Sequence, residues 1–490
     1  MLPAIALVCP EGGTLRVLFV TAPDPSGALE AAGRWVPLAL VHLAGAVRAA
    51  GHECEILDAL SLGLTGAETS KRIADARADV VCVSAATAGF PAAVDLCRAA
   101  QGHGAVTVVG GAHASFMYPE FLPQGGVDFA TVGEGEETLP ELLRCIAAGE
   151  DPARIAGIAF PLGGRIVRTA RRPRLAALDP LPKAWDLLDW STYTWSSRPG
   201  SRLAATATSR GCPRHCACCS QAATGEGTWR ARSPDSVAYE ISTLRRDHGA
   251  DVVALFDEAP TADSRRWAGI LERITDLDLG IEMILWSRPE DVIRDEASLD
   301  RWRAAGVAHV GLCRDTSEER LREDEADYAL GVGRRAVRML REHGITSETN
   351  FWLGFPDESP ELVRLLQERA RQWDPDLAHF LTLAPLPYTA AWRTLGPHVT
   401  TRDYRRFNHR EAVVKARAMS PEQIVSAAAA CYRGFYLDKL RRAEGEPAGT
   451  RRRNAWRIYL ATPSFRERLL EGATEEERRA LSAPLPPLRS

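Results

Sequence analysis

Two series of short apolar segments, each alternating with helix-like stretches, constrain the fold of this 490-residue chain more than any other feature. In residues 1–150, continuous apolar runs such as LRVLFVT (15–21) and ADVVCVS (78–84) alternate with the helical stretches. Continuous apolar strands between helices indicate a parallel sheet that is covered on both faces. We therefore predict a flavodoxin-like, Rossmann-type α/β domain whose ligand lies beyond the carboxyl ends of the strands.

The second series occupies residues 201–400, where six strand-like segments alternate with helical stretches. Six units are fewer than the eight of a complete barrel, so we predict a partial (β/α)6 barrel with its chemistry at the carboxyl ends of the strands. Residues 151–200 are typical of a hairpin and a linker rich in Pro, Trp and Ser, and residues 401–490 are predicted to be helical.

Charge and hydrophobicity limit the classes of partner. The net charge of −4 gives no electrostatic basis for binding nucleic acid or an anionic membrane surface. No run of about 18 apolar residues occurs, so no membrane span is predicted. The N-terminal MLPAIALVCPEGG lacks the basic residues of a secretory signal, which favours a reducing, cytoplasmic location. The eleven cysteines are then expected to be thiols, metal ligands or catalytic groups.

Four of these cysteines fall within eight positions of the segment SRGCPRHCACCS: Cys212, Cys216, Cys218 and Cys219. The spacing C-x3-C-x2-C follows the first predicted barrel strand, so three thiolates share one loop at the catalytic end of the barrel. Three ligands on one loop suit an iron–sulfur cluster with one iron left open for a substrate. A structural zinc site is the alternative, but such sites usually have four ligands in two pairs, and the next cysteine here is Cys313.

This segment resembles the signature of the radical S-adenosylmethionine (SAM) superfamily. The resemblance implies a [4Fe–4S] cluster held by Cys212, Cys216 and Cys219, with SAM bound to the open iron. In that superfamily the residue before the last cysteine is usually aromatic and lies near the adenine of SAM. Here it is Cys218, which we place among the SAM-binding residues by position.

Further SAM contacts are implied at the ends of the next two predicted strands. In FDEAPT, Asp257 and Glu258 stand where the superfamily places acids that receive the SAM ammonium group. In SRPEDV, Arg288 stands where it could reach the SAM carboxylate or ribose. The alternatives from the residues alone are a helix N-cap for the acids and a surface ion pair for the arginine.

In the first domain, the segments VVGGAHASFMYPE and VDFATVGEGEETLPELL together resemble the cobalamin-binding domain of one large class of radical SAM enzymes. The resemblance implies that two hydroxyl side chains line the slot for the nucleotide tail, that a glycine pair lets the tail approach the backbone with a histidine alongside, and that a GEGE loop closes over the corrin edge. These residues are Ser84, Thr87, Gly110, Gly111, His113, Gly133, Glu134, Gly135 and Glu136. From the residues alone, the glycine pair could be an ordinary turn and the loop acids could favour a helix N-terminus.

Many cobalamin domains supply a lower axial histidine from the loop after the first strand. The corresponding loop here, TAPDPSG (21–27), has no histidine, so we expect cobalamin to bind without an axial base. Axial ligation by His113 or His42 is the lesser alternative, because a lone histidine is more often structural.

Within that class the segments PKAWDLLDW, WRARSP and REHGI resemble the family of the anaerobic magnesium-protoporphyrin monomethyl ester cyclase and its methyltransferase relatives. The resemblance implies a C-methyltransferase that acts on an unactivated carbon of a small-molecule substrate, such as a secondary metabolite or a tetrapyrrole-like compound. An oxidative cyclase and a cobalamin-binding sensor remain as alternatives. An electron donor such as flavodoxin or ferredoxin is implied as a partner, and no motif reports the substrate or a catalytic side chain.

Overall fold

A computed structural model describes residues 13–23, 33–225, 227–313, 323–443, 466, 469–470 and 472–482. The described residues form two compact units. The first contains 13–23, Val36–Thr192 and Asp403–Arg405, and the second contains 33–35, Tyr193–Arg402 and the described residues after 405. Each unit is considered separately below.

The strands of the described chain are β1 (Arg16–Thr21), β2 (Gly33–Arg34), β3 (Glu53–Leu57), β4 (Val80–Ser84), β5 (Val106–Gly110), β6 (Phe129–Thr131), β7 (Ile158–Leu162), β8 (Arg165–Arg168), β9 (Thr194–Trp195), β10 (Leu203–Thr206), β11 (Ser209–Gly211), β12 (Trp229–Ala231), β13 (Val252–Leu255), β14 (Glu282–Ser287), β15 (Val307–Leu312), β16 (Thr346–Leu353) and β17 (Leu377–Thr382).

The α-helices are α1 (Leu38–Ala49), α2 (Gly66–Ala76), α3 (Phe90–Gly102), α4 (Ala112–Phe121), α5 (Thr138–Ala148), α6 (Ser220–Gly225), α7 (Pro234–His248), α8 (Ser264–Leu277), α9 (Pro289–Arg294), α10 (Leu299–Ala304), α11 (Glu323–Glu342), α12 (Pro360–Trp373), α13 (Trp392–Leu395), α14 (Pro421–Ala443) and α15 (Glu475–Ser482). Over these described helices, none is long and apolar enough to cross a bilayer.

The first unit is built on a sheet of order β3-β1-β4-β5-β6-β7-β8. Its first five strands in that order, from β3 through β1 to β6, are mutually parallel. Alternate residues of β1 enter opposite cores: Leu18 and Val20 pack on one face, whereas Val17 and Phe19 pack on the other. A strand that is buried on both faces explains the continuous apolar runs in the sequence. The predicted flavodoxin-like domain is confirmed, and the predicted hairpin is β7–β8, which extends its sheet in antiparallel pairing.

The second unit contains a parallel sheet of order β10-β13-β14-β15-β16-β17. These strands follow one another in chain order and their connections contain helices, so the predicted partial (β/α)6 barrel is confirmed. Helices α14 and α15 form the described part of the predicted helical C-terminal region. The short antiparallel hairpin β11–β12, which is inserted between β10 and α7, was not predicted from the sequence.

The two faces of β16 differ in polarity. Phe351 and Leu353 pack in an apolar core with side chains of α12 and α14, so their face is the outer, helix-covered face of the sheet. Glu348, Asn350 and Trp352 point to the opposite face and are all accessible to solvent. That inner face is the barrel lumen, and it is where a substrate of such a barrel would lie.

The last strand of the open barrel, β17, is stabilised on its free side by a helix. The hydroxyl of Tyr436 in α14 accepts a hydrogen bond from the backbone N–H of Ala378 at 3.1 Å and donates to the carbonyl of the same residue at 3.1 Å. Tyr436 is fully buried. Its hydroxyl therefore satisfies both backbone groups of Ala378 in a place where water cannot.

We expect Tyr436→Phe to lower the free energy of unfolding by about 1–3 kcal/mol, because it leaves two buried backbone groups without a partner. Urea titration followed by circular dichroism measures the change. Tyr239→Phe is the matched control, since Tyr239 is 72% exposed and its change should stay within about 0.5 kcal/mol. Equal effects of the two substitutions would show that the hydroxyl of Tyr436 does not stabilise the edge strand.

Candidate functional site

The four clustered cysteines lie on the loop that joins β11 to β12. Gly211 ends β11 with φ +85°, and a Cβ there would lie 2.1 Å from the carbonyl oxygen of Thr228, so only glycine permits the strands to approach this closely. Within the loop, the backbone N–H of Cys219 donates to the carbonyl of Cys216 at 3.2 Å. All four thiols are partly exposed, and none of the described cysteines is in a disulfide. The loop therefore contains three partly exposed cysteines at the predicted spacing.

Arg288, which follows β14, approaches this loop directly. Its Nη1 lies 3.4 Å from Sγ of Cys216, and its Nε lies 3.3 Å from a carboxylate oxygen of Glu290. Burial raises the pKa of the Cys212 thiol, while Arg214 and Arg288 act in the opposite direction. A cationic neighbour favours the thiolate form that binds metal.

Two further contacts fix the cysteine loop. The carbonyl of Ala217 accepts from the backbone N–H of Ala391 at 3.0 Å, which ties the loop to the segment after β17. Arg214 donates to Asp291 of α9 at 2.8 Å, and Asp291 is buried. Nothing in the sequence pattern singles out Arg214 and Ala391 as supports of the loop, because their partners are 77 and 174 positions away.

Asp257 is hydrogen-bonded to the base of the cysteine hairpin. It is buried, and its two oxygens accept bonds from Thr208 N–H at 2.8 Å, Thr208 Oγ1 at 2.8 Å and Ser209 Oγ at 2.5 Å. Burial raises the pKa of Asp257, although these hydrogen bonds act in the opposite direction. These bonds hold the chain between β10 and β11, so Asp257 supports the cysteine hairpin, and its contact with the SAM ammonium group stays a prediction.

Glu258 lies nearer to the cysteines. One of its carboxylate oxygens accepts from the backbone N–H of Gly211 at 3.0 Å, directly before Cys212. Burial raises the pKa of Glu258, and the charge of Asp257 adds to that effect. Glu258 and Arg288 thus both contact the cysteine loop, and their binding to SAM stays a prediction.

The role of Arg232, a buried arginine at the base of the cysteine hairpin, was not predicted from the sequence. The Arg232 side chain donates to Thr206 Oγ1 at 3.2 Å and to the carbonyl of Ala207 at 3.0 Å, and it forms an ion pair with the buried Glu240. Arg266 donates to the backbone carbonyls of Arg232 and Thr208. Arginine is seldom buried unless it is paired. The sequence signal that could have indicated this role is the RAR of WRARSP, whose second arginine is Arg232.

In the first unit, the predicted cobalamin residues gather at the carboxyl ends of β4 and β5. Ser84 and Gly110 are register partners on these strands. A Cβ on Gly110 would lie 2.9 Å from Thr131 Oγ1, and Gly111 has φ +105° with a Cβ position 3.3 Å from the carbonyl oxygen of Ala85. The glycine pair therefore leaves backbone exposed at a strand end that a larger side chain would fill.

His113 lies against this strand end as a buried residue. Its Nδ1 is 3.3 Å from Thr87 Oγ1, and its ring packs on Phe90 and on Tyr404 with centroid distances of 4.4 and 4.7 Å. Burial lowers the pKa of His113 to about 4, so its ring is neutral at ordinary pH. Tyr404 comes from the segment Asp403–Arg405, which belongs to this unit although it lies far along the chain, and the sequence did not indicate it.

The GEGE loop follows β6. The N–H of Gly133 donates to Ser115 Oγ at 3.1 Å, and a carboxylate oxygen of Glu134 accepts from the N–H of Leu175 at 2.9 Å. A Cβ on Gly135 would lie 2.7 Å from Leu43 Cδ2, and Glu136 is half-buried. The loop after β1, from which no axial histidine is predicted, is described only to residue 23. Most of TAPDPSG therefore lies outside the described residues.

Comparison with known proteins accounts for both units. Family models match residues 27–143 as a B12 binding domain and residues 206–368 as the radical SAM superfamily. The anaerobic magnesium-protoporphyrin IX monomethyl ester cyclase of Rubrivivax gelatinosus is 30% identical over 434 residues, which cover 87% of this chain and 78% of the relative. The chain belongs to the cobalamin-dependent radical SAM enzymes.

Other members of this enzyme family are also similar to the chain. Hopanoid C-3 methylase of Methylococcus capsulatus is 26% identical over 83% of this chain and 77% of its own length. The radical SAM methyltransferase TsrM of Kitasatospora setae, solved with cobalamin and a [4Fe–4S] cluster, has a TM-score of 0.66 at 19% identity and covers 93% of this chain and 99% of its own. That structure supports the fold of this cobalamin-dependent radical SAM enzyme.

A cobalamin-dependent radical SAM enzyme uses a [4Fe–4S] cluster, SAM and cobalamin, and the described residues fit these groups. Three thiols on one loop, one of them beside a guanidinium, form a donor set suited to the cluster. Gly110 and Gly111 leave space that a Cβ atom would fill, which suits the close approach of a nucleotide tail to the backbone.

We expect Cys212→Ala, Cys216→Ala and Cys219→Ala each to lose the iron of the anaerobically purified protein, about four atoms per chain, because a three-thiolate site cannot spare a ligand. Iron analysis and the visible absorption of the cluster measure the loss. Cys218→Ala is the matched control from the same loop and should retain iron. If Cys218→Ala loses iron while Cys219→Ala keeps it, the ligand assignment is wrong.

We expect Gly111→Val to weaken cobalamin binding about tenfold or more, because a β-branched residue at φ +105° is strained by about 1–3 kcal/mol and its side chain occupies the tail's approach. Cobalamin retained after gel filtration is measured by absorbance. Gly102→Ala is the control, since a Cβ there meets nothing within 4 Å. Unchanged retention by a folded Gly111→Val protein would contradict the placement of the tail.

Proposed function

We propose that this enzyme is a C-methyltransferase that acts on an unactivated carbon of a small-molecule substrate. The observation that carries the proposal is the presence in one chain of a three-thiol loop at the mouth of a barrel and a glycine-lined strand end in a cobalamin domain. Support comes from relatives that are methyltransferases by name, among them the hopanoid C-3 methylase. Methylation of an unactivated carbon would draw on both cofactors together.

In this proposal Cys212, Cys216 and Cys219 hold the cluster, and Arg288 orients Cys216 through its bond to the sulfur. Glu258 and Arg288 contact SAM from the ends of two neighbouring strands, with Cys218 beside them. When bound, the cluster supplies the electron that cleaves SAM, and cobalamin supplies the centre that carries the methyl group. The protein contributes the placement and the exclusion of water around these groups.

For the cobalamin, the proposal assigns backbone approach to Gly110 and Gly111 and the lining of the slot to Ser84 and Thr87. His113 packs alongside as a neutral ring whose Nδ1 faces Thr87. The loop of Gly133, Glu134, Gly135 and Glu136 is proposed to cover the corrin edge. Cobalamin is proposed to bind without an axial base from the protein.

An oxidative cyclase is the second candidate function. It is favoured by the 30% identity over 87% of this chain to the Rubrivivax cyclase. A small reduced flavodoxin or ferredoxin is the proposed electron donor in either case, and the reducing cytoplasm is the proposed location because the cluster requires low potential.

The two candidates differ in the products of SAM. Anaerobic protein loaded with cluster and cobalamin is reduced and given SAM, and S-adenosylhomocysteine and 5′-deoxyadenosine are quantified. The methyltransferase should form both, with about one S-adenosylhomocysteine per bound cobalamin before a substrate is supplied, because the two uses of SAM are separate. Cys219→Ala should lose 5′-deoxyadenosine and keep S-adenosylhomocysteine.

Formation of 5′-deoxyadenosine without S-adenosylhomocysteine would overturn the methyltransferase in favour of the cyclase. Formation of neither product by protein that contains both cofactors would overturn both candidates. Electron paramagnetic resonance of the protein-bound cob(II)alamin tests for an axial base. A splitting of the signal by nitrogen would contradict the proposed absence of that base.

A further inference from the structure

The lumen of the barrel contains a polar group that the assignments above do not use. Glu348 of β16 accepts a hydrogen bond from Nε2 of His309 on β15 at 2.7 Å and another from Nε2 of His379 on β17 at 3.0 Å. All three side chains lie on the inner face, because Phe351 and Leu353 of the same strand face the helices. We refer to Glu348, His309 and His379 as the lumen triad.

The carboxylate of the lumen triad is the member that a ligand can reach. Its side chain is 22% exposed, whereas those of His379 and His309 are 14% and 4% exposed. An ionised carboxylate has about four acceptor positions, and the two histidines use two of them. The two remaining positions are therefore available to a donor inside the lumen, and the carboxylate is held in one orientation by bonds to both oxygens.

The carboxylate of the lumen triad is held ionised by its two histidines. Burial alone would raise the pKa of Glu348, but His379 and the hydrogen bonds from both histidines outweigh it and hold the pKa well below its ordinary value. The six strands of the described barrel contain no lysine or arginine. A carboxylate kept ionised in an enclosed space is costly unless it is paired, and titratable groups with such shifted pKa values are typical of sites that bind or react.

Flat aromatic surfaces border the lumen triad. Gly311 is the register partner of Glu348, and a Cβ on it would lie 2.4 Å from Cδ1 of Trp286, so the indole lies directly over this glycine. Trp286 in turn packs with Phe256 at a centroid distance of 6.1 Å. On the other side, Trp195 makes an edge contact with the ring of His309 at 5.7 Å.

The lumen triad also lies near the cysteine loop. Cys313 follows β15, the strand of His309, and its backbone N–H donates to the carbonyl of Ser287 at 2.9 Å. The next residue, Arg288, lies 3.4 Å from Sγ of Cys216, so the end of β15 adjoins the cysteine loop. A molecule bound to Glu348 would lie close to the place where SAM is proposed to react, as proximity requires.

We propose that Glu348 is the substrate-binding carboxylate of the barrel and that it takes a flat, apolar compound bearing a protonated amine. The amine donates to the two unused acceptor positions of Glu348, and the flat part packs on the indole of Trp286. His309 and His379 are positioning residues, because they act by fixing the carboxylate. This inference rests on the proposed function, since it names the substrate class of the same barrel.

Three indole compounds that differ in the charge of one substituent test the proposal: tryptamine is a cation, indole-3-ethanol is neutral and indole-3-propionate is an anion. Their binding to the anaerobic holoenzyme is measured by calorimetry in mildly alkaline buffer, where free imidazole is neutral. We expect tryptamine to bind about tenfold or more tightly than indole-3-ethanol, since its ammonium makes a charge-assisted bond, and indole-3-propionate to bind most weakly.

Glu348→Gln keeps the shape and removes the charge, so it should abolish the preference for tryptamine. Glu348→Asp keeps the charge and should retain the preference, which guards against a defect of folding in the first variant. Glu368→Gln, on the exposed side of α12, is the matched control and should bind as wild type does. Circular dichroism and iron content confirm that each variant is folded.

The inference is overturned if wild-type protein does not prefer tryptamine, including the case in which no tryptamine binds, or if Glu348→Gln keeps the preference. Cofactor content and SAM products separate this failure from failure of the proposed function. Protein that contains iron and cobalamin and forms both SAM products but shows no preference refutes the substrate class alone. Protein that forms neither product refutes the proposed function, whatever it binds.

Discussion

The cysteine loop depends on a buried carboxylate at the root of its hairpin. Asp257 follows β13 and accepts three hydrogen bonds from Thr208 and Ser209, which fixes the turn between β10 and β11. Arg232 and Arg266 bind the carbonyls of the same turn from the other side. A loop that must hold three thiolates within bonding distance of one inorganic cluster needs such a rigid base, because small displacements of ligands cost affinity.

Polar groups are distributed unequally over the barrel. Its outer face is an apolar core closed by α12 and α14, and the free edge of β17 is satisfied by the hydroxyl of Tyr436. Its inner face contains the lumen triad and partly exposed aromatic rings. The apolar outer core and the contacts at the β17 edge thus stabilise the barrel. The lumen can therefore contain polar groups that are unfavourable for folding.

Much of the architecture could be predicted from the sequence. Apolar runs such as LRVLFVT and VVCVS, separated by helical stretches, indicated parallel strands because strands buried on both faces must be apolar throughout. Spacing alone marked the three cysteines, and the glycine pair at the end of β5 was marked by its position after a strand. These signals are local, since each concerns residues that are neighbours in the chain.

The roles of single polar side chains were decided by the tertiary structure. Asp257 and Glu258 are adjacent in sequence, yet they bind different parts of the hairpin. Asp257 accepts hydrogen bonds from Thr208 and Ser209, whereas Glu258 accepts one from Gly211 beside the cysteines. The lumen triad joins residues 309, 348 and 379, which no local pattern relates. The sequence by itself determined the two α/β units and the cysteine motif, because periodicity and spacing along the chain specify them. Only the fold decided which acids hold a backbone turn and which lie in the barrel lumen, because register between strands brings distant residues onto one face.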